Sequence, residues 1–366
     1  MGYELTTLDE AYDQLHKTGP EFHGWLSNHG PMAIEAMIRH GHEGSVQPWL
    51  DGYVLRLEAF PSAHTPIGTD WHNALGDVRR VADWARYFEQ ELAEQPWRAV
   101  LNEWWPRLLP GIAAGATHGV IRVGHAVRVL LTDGDSQLRI SELAQGLAYW
   151  AARWQPVTAP SDFWDTEPDE HFEVAALLGR TMGDHVLNAL PRLGGDQAGR
   201  GFNQWVGRMQ EIPGWVDAVH HIWVPQDPEA VRDWLAHMVD AAVVRYLWFG
   251  HGDGIMLVHA ATAPNAIWRT LPALDRRWWR PSALAAWIAV ATLTTVYAPL
   301  IPIESSVLSR VLPGEKDPEE VFAYAVAHGD EHVIKLADTA LDVYARTREP
   351  QALAAVYRAG MLIKGL

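Results

Sequence analysis

The sequence predicts an all-α protein, and three observations carry that prediction. Apolar residues recur at three- and four-residue spacing over most of the 366 residues, while sustained strand-like alternation is rare. Several of the periodic runs open on aspartate followed by proline, the pairing of a capped helix start with proline in its first turn. The chain is 48% apolar and 20% charged with a mean hydropathy just below zero, so it can bury a substantial core.

In chain order, the segments Gly30 to His40, Val78 to Gln95, Ile140 to Trp154, Val174 to Leu190, Pro228 to Trp248, Pro281 to Tyr297, Pro318 to His328 and Glu331 to Arg348 read as helices. The first begins at Pro31, just after His29. Pro228 follows Asp227 and Pro318 follows Asp317, while Asp330, after Gly329, is placed to cap the last of them. A further helical-looking stretch runs from Gly111 to His125, with glycines four apart beside His118. Thr158 to Glu170 and Arg192 to Gly201 are rich in turn formers and read as loops. No repeat of fixed period appears. The expected architecture is a single large multi-helical domain over residues 1–366, built from two packed helical halves.

Ser282 to Leu300 is uncharged and nearly long enough to span a bilayer. It is rich in alanine and threonine and ends in proline, which reads as a helix buried on all sides rather than a membrane segment. A net charge of −16 and a pI near 5.5 argue against nucleic acid or an anionic membrane as partner. The basic run Arg276 to Arg280 reads as a solvated helix end. No basic segment followed by an apolar core precedes Leu15, so the expected compartment is the cytoplasm.

The sequence has no cysteine, which removes disulfides, iron-sulfur clusters and thiolate chemistry together. Dinucleotide, Walker, serine-elbow and H-E-x-x-H signatures are missing as well. Any metal must be held by nitrogen and oxygen. Eighteen histidines supply the nitrogen. His29 precedes a proline-started helix; His118 and His125 lie seven apart and on nearly one helical face; His259 sits in an apolar helix-like run. Taken alone, His29 reads as a capping or packing histidine and the others as hydrogen-bonded core histidines rather than ligands. His64, His72, His220 and His221 read as surface residues.

Lys335 is one of four lysines beside twenty-five arginines, and it lies in an apolar helical run one turn after His332. On a helix the two share a face and can reach one ion, with His328 a spare candidate one turn earlier. A desolvated lysine loses its proton and can act as base, Schiff-base former or carbamate, whereas a snorkelling lysine merely covers apolar surface. Nineteen tryptophans serve either as core fillers or as stacking walls for a flat polycyclic ligand. These residues are consistent with a mononuclear site of nitrogen ligands plus one oxygen donor, and they do not choose the metal.

Four motifs in this order, Asn28-His-Gly-Pro-Met-Ala33, Thr117-His-Gly-Val-Ile-Arg122, Leu257-Val-His-Ala260 and Asp330-Glu-His-Val-Ile-Lys335, resemble the questin oxidase-like family. The resemblance implies a non-haem Fe(II), O2-dependent oxygenase acting on an aromatic polyketide of the anthraquinone kind, by ring cleavage or oxygen insertion. It implies His29, His118, His259 and His332 as iron ligands and N6-carboxylated Lys335 as oxygen donor. Arg122 and His125, where the chain departs from the fungal pattern, are expected to stabilise oxyanion charge. The alternatives are a metal-dependent hydrolase or cyclase, and a non-catalytic protein that binds aromatic ligands.

Overall fold

The computed structural model describes residues 7–24, 26–157, 187, 190–193, 202–220, 222, 224–311 and 317–365. Among them are sixteen α-helices and one two-stranded hairpin, so the fold is all-α as the periodicity predicts. The hairpin pairs β1 (Glu21–Phe22) with β2 (Leu26–Ser27). His23 and Gly24 turn it with left-handed backbone, and it delivers the chain to Asn28 and His29.

The predicted caps hold: the side chains of Asp227, Asp317 and Asp330 each accept a backbone N–H in the first turn of the helix that follows. The runs expected at Gly30, Pro228, Pro318 and Glu331 become α2 (Gly30–Arg39), α10 (Pro228–Phe249), α14 (Pro318–His328) and α15 (Glu331–Thr347). The Val78 run opens as a 3-10 turn before α4 (Val81–Glu94), and Ser136 caps α7 (Gln137–Ala152) earlier than the apolar pattern suggests. The stretch from Gly111 is not one helix. Gly115, Ala116 and Thr117 all take left-handed backbone, and α6 (His118–Thr132) begins only at the histidine. Val174 to Leu190, apart from residues 187 and 190, lies outside the described residues, as do Thr158 to Glu170 and most of Arg192 to Gly201.

The alanine- and threonine-rich segment forms α12 (Trp279–Tyr297), buried continuously from Ser282 to Tyr297. Among the described residues no helix is long and apolar enough to cross a membrane. Six tryptophans, Trp84, Trp104, Trp105, Trp150, Trp215 and Trp234, are fully buried core fillers. Trp104 meets Trp84 and Phe88 edge-on at ring separations of 5.4 and 5.0 Å, a geometry worth about 0.5–1.5 kcal/mol per pair beyond area burial.

Four helices position the site. α2 packs on α6, α6 on α11 (Gly254–Thr270), α11 on α15, and α15 back on α2, which closes a ring. Gly124 permits the α6–α11 approach: a Cβ there would stand 2.6 Å from the Ala266 Cβ. Gly119 does the same between α6 and α7, where a Cβ would meet Trp150 at 2.7 Å.

Candidate metal centre

Each of the four ring helices brings one histidine to the same point. His29 is the residue that caps α2, His118 the first residue of α6, His332 the second of α15, and His259 lies one and a half turns into α11. One ring nitrogen from each falls within 4.8 Å of all the others. His118 Nε2 stands 2.6 Å from His29 Nε2 and 2.7 Å from His259 Nε2. All four residues are buried.

The surroundings decide which nitrogen carries the proton. His118 Nδ1 faces the Gly115 carbonyl, which can only accept, so Nδ1 holds the hydrogen and Nε2 presents a lone pair. Ser27 Oγ lies 3.0 Å from the same Nδ1 and 2.6 Å from Tyr149 Oη. Glu331 Oε1 stands 3.3 Å from His29 Nδ1, and Asp330 Oδ1 stands 3.3 Å from His332 Nδ1. Carboxylates likewise accept. Hydrogen-bond acceptors behind the His118 and His332 rings therefore leave the Nε2 of each as a lone pair, the outer arrangement that orients imidazoles around a metal. His118 Nε2, left without a hydrogen, can face a cation or accept an N–H from His29 or His259.

Burial holds His29, His118 and His259 far below the usual imidazole range, helped by the Lys335 charge and by neighbouring histidines. Neutral imidazole is the form that binds metal. Lys335 is fully buried on α15, and its Nζ has no hydrogen-bond partner among the described residues. Burial pushes its pKa down to about 7, although Glu331 and Asp330 pull the other way. At neutral pH roughly half of such amines are uncharged, against about one in a few thousand for an exposed lysine. An ion about 2.1 Å from each nitrogen would separate ligand atoms by about 3–4 Å, so the two His118 contacts, at 2.6 and 2.7 Å, would have to open to admit one.

The loop before α6 is strained. Ala116 and Thr117 have φ of 56° and 69°, each costing about 1–2 kcal/mol for a residue with a Cβ. Gly115 has no room for one, since it would meet Tyr149 Oη at 2.7 Å. That turn carries the carbonyl that fixes the His118 ring, so the strain sits where it orients a donor.

The other sequence candidates lie elsewhere. Arg122 donates through Nε at 2.6 Å and Nη2 at 2.8 Å to Glu142, and also to Gln145. His125 Nδ1 meets Glu35 Oε2 at 2.7 Å. His328 turns away, its Nε2 against the carbonyls of Gly360 and Ile363. His64 and His72 are exposed, His220 is half-buried, and His221 is outside the described residues.

A second set of donors, Glu35, His125 and Asp338, also clusters within metal-binding distances. Here the Arg128 guanidinium already lies between the carboxylates, with Nε 2.9 Å from Glu35 Oε1 and Nη1 2.9 Å from Asp338 Oδ1. Its charge holds the Glu35 carboxyl down to about 2 against the upward push of burial, and that of Asp338 well below the usual range. Residues Glu35, Arg128 and Asp338 escaped the sequence reading, and Asp330 and Glu331 entered it only as a helix cap and within a motif. Their signal was available, because each places a charge inside or at the mouth of an apolar helical run.

Against known proteins, the questin oxidase-like family profile matches residues 39–340. The match spans His118, His259, His332 and Lys335, and it begins after His29. Neither a curated protein nor a solved structure matches the chain.

Proposed function

We propose that this chain, which belongs to the questin oxidase-like family, is a non-haem Fe(II)-dependent oxygenase whose ion is held by His29, His118, His259, His332 and N6-carboxylated Lys335. The observation that carries the reading is the convergence of four buried imidazoles, together with a fully buried amine on the His332 helix whose Nζ has no hydrogen-bond partner among the described residues. Family membership supports an oxygenase-type reaction on a small molecule. A flat polycyclic phenol or quinone of the anthraquinone kind is the substrate class we assign.

Iron bound there supplies the redox chemistry that lets dioxygen react with an aromatic ring, which no side chain in this chain offers. The residues themselves have three tasks. Ser27 and the Gly115 carbonyl hold His118, and Asp330 holds His332, in the tautomer that donates outward. Lys335, as free amine, adds carbon dioxide at Nζ: a nitrogen-carbon bond forms, one proton leaves, and the product is an anionic carbamate with two oxygen donors. The surrounding apolar helices exclude water. Arg122 and His125, expected from the resemblance to stabilise oxyanion charge, are held in buried pairs with the carboxylates Glu142 and Glu35.

The test is the purified chain loaded anaerobically with Fe(II) in bicarbonate buffer, with metal content, dioxygen uptake and products measured on hydroxyanthraquinones. One iron per chain, together with substrate-dependent uptake that disappears in Lys335→Met, supports the proposal. Product formation without dioxygen uptake indicates the hydrolase or cyclase instead. Phenol binding by protein that retains no metal indicates a silent binding protein, and either result overturns the oxygenase.

A further inference from the structure

The cluster around Arg128 has a property beyond its charge balance. It takes one or more members from every helix that carries a proposed ligand, and from the same direction along each. Glu35 lies six residues after His29 on α2, and His125 and Arg128 lie seven and ten after His118 on α6. Arg269 lies ten after His259 on α11, and Asp338 lies six after His332 and three after Lys335 on α15. At 1.5 Å per residue the cluster is a second storey roughly 9–15 Å below the imidazoles. Since ligands meet ligands and cluster meets cluster, the four helices run the same way.

The bonds tie the helices in pairs. Arg128 joins α6 to α2 through Glu35 and to α15 through Asp338. Arg269 Nη1 joins α11 to the same Asp338 at 2.7 Å, and Arg269 Nε reaches Asp342 at 2.8 Å. His125 adds a bond to Glu35 at 2.7 Å, and His40 one to Asp338 at 3.0 Å. Glu35, Arg128, Asp338 and Arg269 are all more than nine-tenths buried. Charge-assisted bonds of this kind, away from water, are short and directional, so they fix spacing better than apolar contacts do.

We propose that this storey is a positioning device for the metal centre. Glu35, Arg128, Asp338 and Arg269 set the separation of the four helices, and through it the gap into which the imidazoles point. The proposal rests on the reading of the imidazole cluster as a metal site.

A second buried ion pair supplies the control. Glu142 accepts from Arg122 on the same α6, is equally buried, and joins that helix to α7 and, through His16, to the chain after α1 (Leu8–Leu15); none of the ring helices other than α6 is involved. Glu35→Gln and Glu142→Gln are thus the same chemical change, and only the first touches the link among ligand helices. The experiment is titration of the metal-free full chain with Co(II), following its visible ligand-field absorption alongside thermal melting. Wild type is expected to give a saturable spectrum. Glu35→Gln and Asp338→Asn are expected to weaken Co(II) binding by about 10-fold, the lower end of the loss on removing a group bonded to a metal ligand, and to shift the band positions. Glu142→Gln is expected to change affinity less than about 3-fold and to leave the bands in place.

Where Glu35→Gln fails to fold, the paired Glu35→Gln/Arg128→Met variant leaves no buried charge unmatched at that joint and is read in its place. Equal weakening in both glutamine variants, or unchanged bands in the Glu35 and Asp338 variants, overturns the positioning role. A wild-type chain that gives no Co(II) spectrum overturns the metal site beneath it, and that failure is distinct because it precedes any variant.

Discussion

Lys335→Met should make the metal-free chain more stable while costing it the metal. The wild-type amine is fully buried with no hydrogen-bond partner among the described residues, and burial pushes its pKa down to about 7 against about 10.4 in an unfolded chain. Between those values the unfolded state binds more protons, so stability rises with pH from about 7 to about 10, and the penalty is fully present below 7. A gap of about three and a half pKa units corresponds to roughly 4 kcal/mol at pH 7, an order-of-magnitude figure. Methionine matches the stem in length, fills the same space and has no charge to desolvate. The assay is urea unfolding with chelator in carbon dioxide-free buffer, at pH 7 and pH 9. The variant is expected to gain stability of the order of 2–4 kcal/mol at pH 7, to lose the upward slope toward pH 9, and to bind no Fe(II). A variant that is destabilised at pH 7, or a wild type whose stability does not rise toward pH 9, refutes the buried unpaired amine.

The remaining expectations concern the ring of helices. Gly124→Ala places a Cβ 2.6 Å from that of Ala266, so α6 and α11 must part; about 1–3 kcal/mol of stability should go, with weaker metal binding, measured by denaturation and Co(II) titration. Ala116→Gly relieves a left-handed residue at φ 56° and should raise stability by about 1 kcal/mol in thermal melts. Glu35 and Asp338 are held below their unfolded pKa values, so their stabilisation is present above about pH 4 and is lost as pH falls toward 2. Acid titration of the melting temperature should therefore be flatter in Glu35→Gln than in wild type.

How much of this was legible depends on whether a feature is local. The starts of α10, α14 and α15 follow from single aspartates that satisfy N–H groups within a turn, and the sequence shows them directly. The start of α6 was not legible, because Gly115 to Thr117 adopt left-handed backbone that only the packing of Tyr149 and the His118 ring explains. Helices α3 (Glu43–Val54) and α5 (Trp97–Leu108) carry internal prolines, Pro48 and Pro106, which mask their period. The five proposed ligands stood out as histidines and a lysine in apolar runs, yet nothing local says that residues 29, 118, 259 and 332 meet. The partners of Arg122 and His125 were equally hidden, since Glu142 and Glu35 lie on other helices.

The shared direction of the four helices bears on why an anion is needed. His29, His118 and His332 stand at helix N-termini, each equivalent to roughly half a positive charge. A divalent cation placed there meets repulsion from three dipoles with no anionic ligand among the four histidines. Glu331 and Asp330 lie behind His29 and His332, and Glu331 is also shared with Arg56, so both spend their charge on the rings rather than on the centre. Lys335 is the one fully buried amine on these helices, and as an ammonium it would add to the positive field. Conversion of that amine to a carbamate reverses its sign at the spot where three helix ends point. The same geometry that makes Lys335 costly as a cation would, under the proposed function, let its carbamate supply the anionic donor that four histidines do not.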